Sequence, residues 1–149
     1  MNDKERWLSN DQKLAQLDPA VRERFEGVVK RLEVAGHRPL VVETRRGALR
    51  QAWLRARGLS LIRRSKHQDG HAADIISADV PWPRTTIEFM ADLALAAREE
   101  GLATGLTWKL PEPGASIIQM SVQQGWKQRL VGVLGVYGYG FDPCHVELP

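Results

Sequence analysis

Two short runs of histidine and acid constrain this chain more than anything else in it. The first is Ser65-Lys66-His67-Gln68-Asp69-Gly70-His71-Ala72-Ala73-Asp74, and the second is Asp142-Pro143-Cys144-His145-Val146-Glu147. There are four histidines in all, and three of them fall in these runs. A catalytic zinc takes three protein ligands from His, Asp or Glu and keeps a fourth position for water. A loop turning at Gly70 lets His67 and Asp74 reach one point, and Asp74 opens the apolar Ile75-Ile76 stretch, which reads as a strand. His145 on a neighbouring strand completes a three-ligand set. Pro143 stands between Asp142 and His145, so these two do not share a regular helix face. A turn leading into the strand places Asp142 beside the water as a general base. Either run alone reads as a solvated loop; together they supply a full donor set. The single cysteine, Cys144, excludes an internal disulfide and every zinc site that needs two thiolates.

The rest of the chain must bring those runs together, and 149 residues suit one domain. Asp18 is an N-cap and Pro19 fits a first helical position, where its missing N–H costs nothing. Val21, Phe25, Val28, Val29 and Leu32 then form one apolar stripe, predicting a helix over 19–35 that stops at Gly36. Ser9 and Gln12 form a capping box ahead of it. A strand is expected over 40–42, a helix over 48–56 closed by Gly58, and a strand over 73–76. Thr85 and Glu88 read as a second capping box, opening a helix to Glu100. Strands are expected over 117–122, 130–136 and 145–148. Helices early and strands late give an α+β fold: a small, mainly antiparallel sheet packed with about three helices, with the zinc site at the sheet.

Charge adds a local asymmetry that the net +3 hides. Between Arg45 and Lys66 lie eight basic residues and no acidic one. Such a field attracts polyanions such as nucleic acid, phospholipid or an acidic wall polymer, unless it is simply a solvated helix face. No apolar run approaches the ~18–20 residues that span a bilayer, and 1–11 lacks the apolar core of a secretion signal.

The pattern Ser-x-His-x-x-Gly-x-Ala-x-Asp, met here by Ser65, His67, Gly70, Ala72 and Asp74, resembles the metal motif of the zinc peptidases that cut peptidoglycan stem peptides. These include D-alanyl-D-alanine carboxypeptidases and L-alanyl-D-glutamate endopeptidases, many of them phage endolysins. Asp142, His145, Val146 and Glu147 match that family's second motif, and Thr44, Arg46 and Gln51 an upstream one. The resemblance spans 40–148. It implies a single peptidase domain over 1–149, with an N-terminal helical part at 1–36 and a catalytic core at 37–149. It implies one Zn2+ per chain on His67, Asp74 and His145, Asp142 as the base, and Arg46 as a cation for substrate carboxylate or the developing oxyanion. The spacing from Trp108 to Asp142 exceeds the family's, so 111–140 reads as an insertion, and Val146 replaces a usual aromatic residue.

The functional expectation is therefore a zinc metallopeptidase acting on peptidoglycan as an L-alanyl-D-glutamate endopeptidase of the endolysin kind. The alternatives are a D-alanyl-D-alanine carboxypeptidase and a non-catalytic wall-binding module of the same fold. An Asp142 suited to proton transfer argues against the last. The basic segment lacks a nucleic-acid motif, so the expected partner is peptidoglycan, not nucleic acid, and the expected state a monomer. With no secretion signal, synthesis in the bacterial cytoplasm and action on the wall after release are expected. His71 reads as exposed, Cys144 as a buried thiol and Glu147 as the support of a ligand or a strand partner. Trp82, Trp108 and Trp126 either line a cleft or pack in the core, the second being the commoner fate.

Overall fold

The computed structural model describes residues 8–44, 56–57 and 69–149. The chain enters through α1 (Asn10–Leu14), whose Ser9–Gln12 capping box forms as expected. Helix α2 (Pro19–Val34) follows, with Asp18 accepting from the Ala20 N–H and Pro19 in its first turn. Its buried residues are Val21, Phe25, Val28, Val29 and Leu32, the stripe legible in the sequence. Strand β1 (Pro39–Glu43) leads on to β2 (Ala72–Ser77), then α3 (Ile87–Glu99) and β3 (Ala103–Gly105). Helices α4 (Gly114–Gln124) and α5 (Lys127–Tyr137) precede the last strand, β4 (Asp142–Glu147). The helix expected over 48–56 falls outside the described residues except for Ala56.

The four strands form one antiparallel sheet in the order β1-β2-β4-β3. The fold is the α+β arrangement anticipated, but it holds five helices among the described residues, where about three were expected. Besides the short α1, the additional helices lie in 111–140. The strands expected over 117–122 and 130–136 are instead α4 and α5, so that part of the reading is corrected. Their β-branched residues suggest strands locally, yet the buried positions recur at helical spacing: Gly114, Ile118 and Ser121 in α4, Leu130 and Leu134 in α5. Tertiary packing outweighs a propensity of at most ~1 kcal/mol.

Helix α3 explains why those helices have somewhere to go. Phe89, Leu93, Ala96 and Ala97 join α2 and the sheet in one core cluster with Phe25, Val41, Ile75 and Val146. Met90, Ala91 and Ala94, on the other side of the same helix, meet Leu106, Ile118, Leu130 and Leu134 in a second. One buried helix thus serves two cores. Its N-cap is Thr86, which accepts from the Phe89 N–H at 3.2 Å, one residue later than the Thr85–Glu88 box expected. No helix among the described residues is long and apolar enough to cross a membrane.

Candidate metal centre

Antiparallel pairing sets the site. Asp74 of β2 stands directly opposite His145 of β4, and residues directly opposite share a face of the sheet. Ala73, Ile75 and Val146 point into the core beneath α2 and α3. Asp74 and His145 therefore project from the far face, as does Glu147, two residues beyond His145. His145 Nδ1 lies 3.1 Å from Asp74 Oδ1, and Nε2 lies 2.9 Å from Glu147 Oε1.

Strict alternation would turn Asp142 away from His145, three residues on. The pairing with β3 breaks at that point: Thr104 partners Val146, but the next residue, Gly105, partners Asp142. Extra β4 residues are taken up within one step of β3, and an irregularity of this kind re-aims a side chain. Pro143, which has no N–H to give, lies in this irregular stretch beyond the β2 ladder, which covers 145–147. Asp142 is the first residue of β4 and not part of a preceding turn. Ligand atoms of Asp74, Asp142 and His145 all lie within 4.8 Å of one another, and this group can hold a metal ion.

Electrostatics favour positive charge within the group. His145 is only 7% exposed. Burial alone would depress its pKa, but its hydrogen bonds to Asp74 and Glu147, with the charges of Asp74 and Asp142, outweigh that and raise it from 6.5 to about 9. Three carboxylates thus gather positive charge around one imidazole. Two carboxylates and one imidazole are also the nitrogen and oxygen donors that zinc accepts, so the residues fit the ion. The Trp108 ring lies against that of His145, with centroids 4.9 Å apart.

The helical N-terminal part bonds Gly70 and His71 of the first run. The Asp18 N–H donates to Gly70 O at 3.1 Å, and His71 Nε2 lies 3.0 Å from Asp18 Oδ2. The His71 hydrogen bond is the main cause of a lowered Asp18 pKa. Leu148 N–H donates to His71 O at 2.9 Å, joining this stretch to the chain's second run. Gly70 has φ +73°, and a Cβ there would meet Asp18 N at 2.8 Å, so both conformation and space call for glycine. His71, read as exposed, is half-buried and bonds an N-cap.

Of the five site residues expected from sequence, the structure brings Asp74, Asp142 and His145 together; His67 and Arg46 lie outside the described residues. Glu147 pairs with Ala72 and Ala103 in the sheet, as a strand partner, and bonds His145, the residue expected as a ligand. Cys144 is buried, and burial pushes its thiol up to about 12, which leaves no thiolate for nucleophilic chemistry. Trp82, Trp108 and Trp126 are 41%, 39% and 48% exposed, so the core fate commoner for tryptophan does not apply to them. Lys109, next to Trp108, stands at φ +59°, the one positive value at a non-glycine among the described residues.

No family model matches the chain, and no curated relative does. Its fold is similar to that of the L-Ala D-Glu endopeptidase ChiX of Serratia marcescens, known from a crystal structure. The TM-score is 0.60 at 19% identity, over 99% of this chain and 94% of that one. The likeness is one of fold.

Proposed function

We propose that this chain is a zinc-dependent peptidoglycan peptidase that hydrolyses the L-alanyl-D-glutamate bond of stem peptides, in the manner of a wall-lysing enzyme. The observation that carries the reading is the Asp74–Asp142–His145 group, set on paired central strands of a sheet whose fold is similar to an endopeptidase of that specificity. His67, Asp74 and His145 would hold the ion, with His67 supplied by the first sequence run. The chemistry supplied by the ion when bound is polarisation of the scissile carbonyl and a lowered pKa for the attacking water.

The chain's own residues do the rest. Glu147 holds the His145 ring through Nε2, which leaves Nδ1 turned toward Asp74 and fixes the tautomer. Asp142 takes the proton from the attacking water and returns it to the leaving amine. Arg46 offsets charge on the developing oxyanion, a role commonly worth a few kcal/mol. The basic residues over 45–66 draw the protein to an anionic wall.

Mass spectrometry of muropeptides digested by the purified, zinc-loaded protein tests the reading. New amino-terminal D-glutamyl peptides are expected. Free D-alanine as the sole product would replace the endopeptidase with a carboxypeptidase. An unchanged digest would leave a wall-binding module.

A further inference from the structure

The residues before Asp142 are clamped against a turn on the opposite side of β4. Phe141 N–H donates to Trp108 O at 2.7 Å, and Gly140 N–H donates to Leu106 O. The approach is so close that a Cβ on Gly140 would lie 2.5 Å from Trp108 N and 2.6 Å from Trp108 O. Trp108 keeps one side of its ring on His145 while more than a third of its surface faces solvent. Lys109 follows in the left-handed region, at φ +59°, which crowds any residue with a Cβ. Its Nζ sits 4.9 Å over the centre of the Phe141 ring, itself 58% exposed. No carboxylate among the described residues pairs with it.

A strained lysine next in sequence to the ring that packs on His145, with its Nζ over the ring of the residue before Asp142, calls for a reason. Asp74, Asp142 and Glu147 make the floor of the site negative, and a substrate carboxylate would be repelled there. An L-alanyl-D-glutamyl bond has such a group on its leaving side, the glutamyl α-carboxylate. We propose that Lys109 is the substrate-binding residue that pairs with this carboxylate, held in place by the left-handed turn and the Phe141 ring while Trp108 walls the site. The inference rests on the peptidase reading and adds its charge selectivity: acidic stem peptides over their α-carboxamide counterparts.

The test uses two L-alanyl-D-glutamyl peptides that differ only in a free α-carboxylate or its carboxamide. The zinc-loaded wild-type protein should favour the acid in kcat/KM by about tenfold, the scale of one charge-assisted pair. Lys109→Met should bring that ratio close to one, and Lys109→Arg should keep most of it. Lys109→Gly, which suits the backbone, should raise the melting temperature and also lose the ratio. Binding of the acid peptide to the metal-free protein, read by calorimetry, should weaken by a similar factor in Lys109→Met. An unchanged ratio in Lys109→Met, or a parallel fall on both peptides, overturns the role of Lys109. If folded, zinc-loaded wild-type protein cleaves neither peptide, the peptidase reading fails and this assignment falls with it.

Discussion

Asp74 and His145 occupy opposed positions of a regular antiparallel ladder, with Ala73 and Val146 locked into the core behind them. Trp108 and Lys109, across β4 from that ladder, belong to a turn held by two backbone hydrogen bonds and a glycine contact, and both are exposed. The ladder holds its charged groups on paired backbone, as the proposed ligands require. The turn offers aromatic surface and a cation to solvent, as a substrate requires. Changes in the ladder should therefore be all-or-none, and changes in the turn graded.

Replacing a proposed ligand should have the largest effect. His145→Gln, Asp74→Asn and His67→Ala should each lose zinc and all detectable cleavage together, with zinc measured by atomic absorption. Full zinc occupancy in His67→Ala would move the third ligand out of the first run. Asp142→Asn, at the break in register beside the ladder, sharpens the contrast. It should keep its zinc but lose about 10²–10⁴-fold in kcat, the usual contribution of a general base. Zinc lost in parallel with activity would make Asp142 a ligand.

The protonation of His145 gives a smaller effect, in stability. In the metal-free protein the ring holds its proton up to about pH 9, against 6.5 as its ordinary value. Between those values the folded chain binds more protons than the unfolded chain, so stability falls as pH rises. The contribution is complete below pH 6.5 and lost above pH 9, and is worth roughly 3 kcal/mol. Melting temperatures of metal-free protein across that window should show the decline, and zinc-loaded protein should not follow it. A flat metal-free profile would mean the carboxylates do not hold the proton. The smallest effect belongs to the turn. Gly140→Ala pushes Trp108 off the strand, so kcat/KM should drop several-fold while zinc content stays constant. Zinc loss there would show that the turn also shapes the ladder.

Much of the fold was legible because its signals are local. Asp18-Pro19 and Gly36 bound α2, and a polar loop turning at Gly70 leads into the apolar run of β2. The donor residues stand in two compact runs. The remainder depends on contacts that a linear reading cannot weigh. Ile117, Ile118, Val131 and Val133 have the side chains of strands, and only the second face of α3 makes helices of them. The break in register that turns Asp142 toward His145 involves residues far apart in sequence, Gly105 and Val146 among them. The left-handed lysine has no marker in composition at all.

The most direct measurement is the release of soluble peptides from purified sacculi by stoichiometrically zinc-loaded protein, with and without a chelator, alongside metal analysis. The account predicts one zinc per chain, steady solubilisation, its complete loss on chelation, and recovery when zinc is returned. Solubilisation that continues at full rate in protein stripped of metal would contradict it.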